Sequence, residues 1–265
     1  MKLQHIYLYP IKSTQPYEVS QAVVYSQGLN FDREFMLTEL DGTFITARKD
    51  ALLYSFSAFP TPSGLYIQYK NYSDIQVEYQ DFQQIQPCEV WHNNFRSFVA
   101  PEEINQWFSK IIGRSVQLRW LGKNSQRTIK RYPNHPLSFA DGYPLLLTTE
   151  SSFNVVQQSC PISISALQFR PNIIIEGLSP FEEQQWEKIQ IGNVIFLHSK
   201  PCERCTLITR NLLDKYQMEP KMEPFRTLKK MNTNEQGMPL FGINLIPLST
   251  GTIRNGDEVK VLSYR

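Results

Sequence analysis

The sequence predicts a β-rich α+β fold, and three observations support this prediction. Short runs of alternating apolar and polar residues, separated by turn signals, recur through much of the chain. Clear helical periodicity is confined to two segments. Strand-like and helix-like segments do not alternate regularly, which disfavours a doubly wound parallel sheet. We therefore expect a chain built mainly of strands, with few helices.

The clearest β unit is a hairpin predicted over residues 33–49, where Asp-Gly at positions 41–42 separates two strand-like runs. Asp-Gly favours a two-residue type I′ turn, which would pair residue 35 with residue 48. Arg33 and Arg48 would then share one mostly apolar face as diagonal neighbours, roughly 7–8 Å apart. Two guanidinium groups on such a face need compensation, from a bound anion or from a carboxylate at the sheet edge. The carboxylates that flank the hairpin are Asp32 and Asp50.

Two segments are predicted to be helical. Residues 101–112 place large apolar side chains at helical spacing and are followed by Gly113, a typical residue after a helix C-terminus. A second helix is expected to start near residues 148–149, with Glu150 in its first turn. Residues 212–231 are charged and interrupted by prolines, so we expect mostly loop there, with one turn of helix at most.

Strand signals return in the last third of the chain. Residues 173–175 form a short buried run of isoleucines. Residues 189–197 and 253–262 resemble each other, because each places a Gly-Asn or Gly-Asp turn before a β-branched run. This pattern is typical of barrel strands.

The chain has 265 residues, enough for one large domain or two smaller ones. No shift in composition marks a linker, and the turn-rich basic region at residues 122–136 is the most plausible boundary. We therefore predict one domain over residues 1–121 and a second over residues 122–265.

Composition excludes several classes of protein. A formal net charge of +2 gives no electrostatic footprint for nucleic acid or an anionic membrane. The N-terminus lacks the apolar segment of a secretory signal, and no apolar run approaches the ~18 residues of a transmembrane helix. We expect a cytoplasmic protein with reduced thiols, and neither nucleic acid nor membrane as a partner.

Half of the four cysteines lie in one short window. Arg204 stands between Cys202 and Cys205, and a neighbouring guanidinium favours the thiolate form. The residues that follow are β-rich, unlike the helix start of a thioredoxin-type pair. The pattern allows Cys205 to be a single metal ligand; in the alternative, Cys202 packs and Cys205 ends a strand.

A zinc site is the remaining alternative for this window. Zinc needs four ligands, and no second Cys-x-x-Cys is present. His198 would have to join Cys202 with Cys88 or Cys160 to complete such a site. Those two isolated cysteines are better interpreted as small buried hydrophobic side chains.

Basic residues with polar neighbours occur at two further places. Lys12 and Ser13 end the first strand and offer an ammonium and a hydroxyl group, which suit a phosphate. Arg170 and Asn172 flank a proline just before a buried strand. Three more cations at residues 127–131 are expected to lie in a solvated loop. The sequence contains no glycine-rich phosphate loop.

Six short motifs occur in order along the chain. They are Tyr-Pro-Ile-Lys-Ser at 9–13, residues 28–33, Thr-Ala-Arg at 46–48, Phe-Arg-Pro-Asn at 169–172, Cys-Glu-Arg-Cys-Thr at 202–206 and Pro-Leu-Phe-Gly at 239–242. Together they resemble MOSC-domain proteins with the N-terminal MOSC β-barrel domain, in particular the YcbX-like and mitochondrial amidoxime-reducing component group. The resemblance runs over essentially the whole chain and implies an N-terminal MOSC β-barrel-like domain followed by a MOSC β-barrel domain.

The resemblance implies a molybdenum cofactor, in which the dithiolene of molybdopterin holds the metal. It makes Cys205 the metal ligand, and Asp141 a candidate proton donor. Gly142 and Tyr143 depart from the small polar residues expected in the same loop, so backbone contacts are expected there. The implied cofactor contacts are Lys12, Ser13, Arg33, Thr46, Arg48, Asp141, Gly142, Tyr143, Arg170, Asn172, Glu203 and Arg204.

The implied activity is reduction of small N-hydroxylated compounds, such as hydroxylaminopurines or amidoximes. Some relatives carry a ferredoxin domain with C-x4-C-x2-C spacing, and this sequence lacks that spacing. Electrons are therefore expected from a separate partner of the ferredoxin or flavoprotein reductase type. The alternative is a non-redox protein that carries the molybdenum cofactor or its sulfur.

Overall fold

The computed structural model describes residues 1–212 and 216–265, and it confirms the β-rich α+β prediction. The described strands, in chain order, are β1 (Leu3–Leu8), β2 (Tyr17–Val19), β3 (Gln21–Tyr25), β4 (Gly28–Leu29), β5 (Phe35–Thr38), β6 (Phe56–Thr61), β7 (Gly64–Tyr69), β8 (Ile75–Glu78), β9 (Gln84–Val90), β10 (Asn93–Val99), β11 (Gln117–Trp120), β12 (Thr128–Ile129), β13 (Tyr132–Pro136), β14 (Leu145–Thr149), β15 (Ile173–Ile175), β16 (Trp186–Ile191), β17 (Val194–Glu203), β18 (Leu240–Pro247), β19 (Gly251–Arg254) and β20 (Val259–Tyr264). The described helices are α1 (Glu102–Ile112), α2 (Glu150–Ser159) and α3 (Phe225–Met231). None of the helices in the described residues combines the length and the apolar character needed to cross a membrane.

Contacts divide the chain into two compact units, each assembled from separate stretches of sequence. The first unit contains residues 1–7, 18–30 and 143–265, and the second contains residues 8–17 and 31–142. The domain boundary expected between residues 121 and 122 stays a prediction.

The first unit is built on an eight-stranded sheet, in the order β2-β1-β15-β14-β18-β17-β16-β20. β14 and β15 run parallel, and α2 lies in the crossover between them, as a parallel pair requires. β16 and β17 are joined by the predicted Gly-Asn turn, with Ile191 opposite Val194. The second predicted segment is divided, because β19 pairs with β3 while β20 pairs with β16. The buried run at residues 173–175 is confirmed as β15.

The start of α2 is confirmed, since the Thr149 side chain caps it by accepting the N–H of Ser152. Helix α2 packs its buried side on a hydrophobic core. The buried members of that core are Val156, Cys160, Ile164, Phe169, Ile208, Leu228 and Phe241.

The prediction for residues 212–231 is wrong in one respect, because α3 is a seven-residue helix where at most one turn was expected. Pro224 precedes it at the N-cap position, where a missing N–H breaks no intrahelical hydrogen bond. Leu228 is fully buried in the core and anchors the helix. Residues 213–215 of the predicted loop lie outside the described residues.

The second unit contains a four-stranded sheet in the order β5-β11-β10-β9, a three-stranded sheet β6-β7-β8 and the pair β12-β13. Helix α1 ends at Gly113 with a left-handed backbone, φ +80°, which confirms the prediction. One buried cluster of this unit contains Met36, Cys88, Val90, Phe95, Leu121 and Phe139. Cys88 is thus a small buried side chain, as expected, and so is Cys160 in the first unit.

The hairpin predicted over residues 33–49 is wrong in register and in turn type. Thr38, at the end of β5, bridges Phe44, so residue 35 does not pair with residue 48. Gly42 has a φ of +88°, whereas Asp41 is not among the residues with positive φ, and a type I′ turn needs both.

Tertiary contacts explain the difference. β5 takes β11 as its longer strand partner. The Ile45 N–H still bonds to the Leu37 carbonyl oxygen, and the residues after Ile45 form a turn in which the Thr46 carbonyl oxygen accepts two N–H groups. A Cβ atom at Gly42 would lie 2.5 Å from the Pro87 carbonyl oxygen, so this close approach fixes the turn against β9. Arg33 and Arg48 therefore do not share a hairpin face.

Candidate functional site

Lys12 is a buried cation in the second unit. It follows β1, and only 5% of the residue is exposed. Its ammonium group donates to the Phe139 carbonyl oxygen at 2.8 Å and forms an ion pair with Asp141. The adjacent Ser13 is also buried, in a left-handed backbone conformation with φ +71°.

Arg33 lies close to the same group, and its charge acts on both Lys12 and Asp141. Its guanidinium group pairs with Asp32, which confirms one of the expected carboxylate pairings, and it stacks 4.2 Å above the Tyr9 ring. Asp32 is held in turn, because its Oδ1 accepts the Tyr9 N–H at 2.9 Å. The other flanking carboxylate, Asp50, pairs with Arg114 at 2.8 Å.

Arg127 corrects the expectation that residues 127–131 form a solvated loop. It is 3% exposed, whereas Lys130 and Arg131 are exposed as expected. Its guanidinium group donates to the carbonyl oxygens of Ser138 and Ala140, the latter at 2.8 Å. Burial lowers the pKa of Arg127 to about 10, against the smaller raising effect of Asp141. Arg127 therefore anchors the backbone immediately before Asp141.

Trp91 is a residue of this cluster that the sequence analysis missed. Its indole Nε1–H donates to Asp141 Oδ1 at 2.8 Å, and the Arg48 guanidinium lies 4.9 Å from its ring centre. Trp91 and His92 form the two-residue turn between β9 and β10, where asparagine or glycine is usual. That unusual turn composition is the signal that would have drawn attention to it.

Burial and charge shift both partners of the Lys12–Asp141 pair. Burial lowers the pKa of Lys12 to about 8; Asp141 opposes this effect, while Arg127 and Arg33 add to it. Desolvation would raise the pKa of Asp141, but Lys12, the Trp91 hydrogen bond and Arg33 together lower it below its ordinary value. Asp141 is thus ionised at neutral pH. Its role as a proton donor stays a prediction and requires the carboxylate to be protonated first.

The cysteine window lies in the first unit, at the end of β17. Cys202 is half-buried and Cys205 is exposed, and neither is joined in a disulfide to another described residue. Arg204 is fixed between them: its Nη1 donates to Cys202 Sγ at 2.9 Å and its Nη2 to the Phe169 carbonyl oxygen at 2.7 Å. Its Nε is buried and has no hydrogen-bond partner among the described residues.

Two other predicted residues of this unit lie just before β15. Arg170 is buried and has a left-handed backbone, φ +56°, at the end of a short 3₁₀ turn. The Asn172 side chain joins β1 to β14, because it donates to the Tyr7 carbonyl oxygen at 3.1 Å and accepts the Leu146 N–H at 3.2 Å. Asn172 thus has a structural role, and its contact with a cofactor stays a prediction.

The remaining predicted residues lie nearer the surface. Glu203 is exposed and pairs with Lys200 at 3.3 Å. Thr46 is half-buried in the turn that carries Arg48, Gly142 is exposed, and Tyr143 is half-buried. Cofactor contacts of these residues stay predictions.

The zinc hypothesis receives no support. Among residues 1–212 and 216–265, no group of three or more His, Cys, Asp or Glu side chains could hold a metal ion. His198 is buried and its Nδ1 bonds to the Trp186 carbonyl oxygen at 2.7 Å.

The chain is β-rich, a Cys-x-x-Cys pair lies at the end of β17, and a buried ammonium group follows β1. Residues 1–115 match the MOSC N-terminal beta barrel domain, and residues 134–260 match the MOSC domain. The chain belongs to the MOSC-domain family with the N-terminal MOSC β-barrel domain.

Its relatives include two kinds of protein. Molybdenum cofactor sulfurase of Homo sapiens is 28% identical over 77% of this chain, which spans only 26% of that protein. Mitochondrial amidoxime reducing component 2 of Rattus norvegicus is 25% identical over 96% of this chain and 81% of its own length. Mitochondrial amidoxime-reducing component 1 of Homo sapiens is 26% identical over 97% of this chain and 82% of its own length.

Proposed function

We propose that this chain is a molybdenum-cofactor-dependent reductase of small N-hydroxylated compounds, with Cys205 as the single protein ligand of the metal. The observation that carries the proposal is the exposed Cys205 thiol beside a guanidinium group held in place by Cys202 and Phe169. Amidoxime-reducing components that align over most of their own length support this choice of activity.

The donor set of the first unit fits such a cofactor. A thiolate is a suitable ligand for a soft, redox-active metal. Arg204 precedes Cys205 in the chain, and its buried Nε–H has no hydrogen-bond partner among the described residues; an anionic group would satisfy this donor. When bound, the molybdenum centre would supply the two-electron chemistry that removes oxygen from an N–O bond.

The cations of the second unit fit the phosphate of a pterin cofactor. Lys12 and Arg33 are each fixed by protein partners, so a phosphate would meet donors that are already oriented. We propose that Lys12, Ser13 and Arg33 contact this phosphate, while Arg170, Glu203 and Arg204 lie among the contacts of the first unit. We also propose cofactor contacts for Thr46, Arg48, Asp141, Gly142, Tyr143 and Asn172.

Reduction needs electrons from outside the site. We propose a separate electron-donor protein of the ferredoxin or flavoprotein reductase type, because reduction of an N–O bond consumes two electrons that the substrate cannot supply. An artificial donor can replace this partner in the test.

The test compares Cys205→Ala with Cys202→Ser, which removes the other thiol of the same window but keeps a hydrogen-bond acceptor for Arg204. Each protein is purified from a host that makes molybdopterin, and molybdenum content, pterin fluorescence after oxidation and benzamidoxime reduction by reduced methyl viologen are measured. We expect wild type and Cys202→Ser to turn over and Cys205→Ala to lose molybdenum-linked turnover. Full turnover by Cys205→Ala would refute the assignment.

A non-redox carrier of the cofactor or its sulfur is the second candidate, and the similarity to molybdenum cofactor sulfurases favours it. It predicts bound cofactor in the wild type and no turnover of any N-hydroxylated substrate with the artificial donor. The same preparations therefore distinguish the two functions.

A further inference from the structure

Trp91 occupies a backbone conformation that its residue type rarely adopts. The turn between β9 and β10 contains only Trp91 and His92, with φ values of +52° and +63°. Left-handed conformations are uncommon for bulky residues and normally belong to asparagine or glycine in such turns. Glu89 supports the turn by accepting the His92 N–H at 2.7 Å.

The indole of Trp91 is oriented by three neighbours although 41% of the residue is exposed. Phe44 packs edge-to-face at a ring-centre distance of 4.9 Å, and the Arg48 guanidinium lies 4.9 Å from the indole centre. The third neighbour is Asp141, which accepts the indole N–H at 2.8 Å. These contacts direct the N–H at one carboxylate oxygen.

Asp141 depends on few contacts for its position. Within the described chain, its side chain accepts hydrogen bonds from Lys12 and Trp91, and both bonds reach Oδ1. The carboxylate side chain is 64% exposed. Without the indole bond, water would compete for the carboxylate, and Lys12 alone would hold it.

Lys12 in turn depends on Asp141. The charged groups that act most strongly on its ammonium group are Asp141, Arg127 and Arg33. The two guanidinium groups repel the ammonium group, burial opposes its charge, and the Asp141 carboxylate favours it. The position of this carboxylate therefore controls how firmly the buried lysine holds its proton.

We propose that Trp91 is the positioning residue of the Lys12–Asp141 pair: its indole N–H holds the carboxylate against the ammonium group and so keeps the buried lysine charged. The importance of this role for cofactor binding rests on the proposed function, in which Lys12 contacts the phosphate. The role itself concerns the chain without cofactor.

The experiment is a pH titration of Lys12 by NMR in the full chain purified without cofactor. Lysine is labelled with ¹³C at Cε, and Lys12→Arg identifies the Lys12 signal by its loss. Trp91→Phe keeps an aromatic ring beside Phe44 and Arg48 but removes the N–H. Trp107→Phe is the matched control, because it removes an indole N–H that donates to the Ser73 carbonyl oxygen in the same unit.

We expect the Lys12 midpoint to fall in Trp91→Phe by at least ~0.5 pH units. The Asp141 carboxylate is then no longer held against the ammonium group and stabilises its charge less. Trp107→Phe should titrate as wild type does. A Lys12 midpoint in Trp91→Phe equal to that of wild type would overturn the proposal. Neither result depends on molybdenum, so failure here and failure of the proposed function are distinguishable.

A second measurement needs no variant at Trp91. In wild type, the ¹⁵N–¹H signal of the Trp91 indole should titrate with the same midpoint as Lys12, while the Trp107 signal stays constant. A Trp91 signal that does not respond as Lys12 loses its proton would refute the coupling even if Trp91→Phe failed to fold.

Discussion

Arg127→Met tests whether the buried guanidinium group anchors the backbone before Asp141. The substitution keeps an unbranched side chain but removes the donors to the carbonyl oxygens of Ser138 and Ala140. A buried acceptor left without a partner costs about 1–3 kcal/mol, so two acceptors cost about 2–6 kcal/mol. Relief from burying a charge offsets part of this cost, and we expect a net loss of about 2–4 kcal/mol in the free energy of unfolding.

Urea unfolding followed by tryptophan fluorescence measures the loss, with Arg131→Met as the control. Arg131 is exposed and belongs to the same basic run, so its replacement should change the free energy of unfolding by less than about 0.5 kcal/mol. Hydrogen exchange at residues 138–140 reports whether the local backbone loosens first. The reasoning fails if Arg127→Met and Arg131→Met unfold at the same urea concentration.

Two buried titratable groups predict opposite pH dependences of stability. Burial lowers the pKa of His198 from 6.5 to about 4, so the unfolded chain binds the proton first and stability falls as pH drops from 6.5 to 4. In wild type, this effect should lower the free energy of unfolding by about 3 kcal/mol between pH 7 and pH 4. His198→Asn, compared with wild type by urea unfolding at both pH values, should lack this loss. Burial raises the pKa of Glu183, so its contribution to stability is present at low pH and is lost as pH rises through the raised value. Thermal unfolding should therefore show Glu183→Gln gaining stability relative to wild type between pH 4 and pH 7, and a difference independent of pH would contradict the assignment.

The helices α1 and α2 could be predicted because local signals decide them. Helix α1 has a wide apolar face and a glycine that adopts the left-handed conformation at its end. Helix α2 has a threonine whose side chain accepts an N–H of the first turn. In both cases, the physical cause lies within a few residues of the helix end.

The hairpin at residues 33–49 could not be predicted because distant contacts decide it. The Asp-Gly pair favours a tight turn locally, but β5 takes β11 as its strand partner and Gly42 packs on the Pro87 carbonyl oxygen. Both partners lie more than forty residues away in sequence. A rule for turn type that uses four residues contains none of this information.

The motif residues of the candidate site are predicted from the family resemblance, which assigns them by position, and their cofactor contacts stay predictions. Arg127 was misjudged, since a run of cations is usually solvated and only the tertiary fold shows that its guanidinium group is buried against two carbonyl oxygens. Trp91 was missed for a similar reason. Its relevance comes from Asp141, fifty residues later in the chain.

The structure also changes the argument that the buried cations require an external anion. In the second unit, Arg33 meets Asp32, Lys12 meets Asp141, and Arg127 meets main-chain carbonyl oxygens. Three cations and two carboxylates leave one net positive charge in this group. Because the pKa of Lys12 is lowered to about 8, that single charge disappears first as pH rises. The protonation of Lys12 therefore sets how strongly these charged residues attract an anion. It depends in turn on the contacts that hold Asp141 beside the ammonium group.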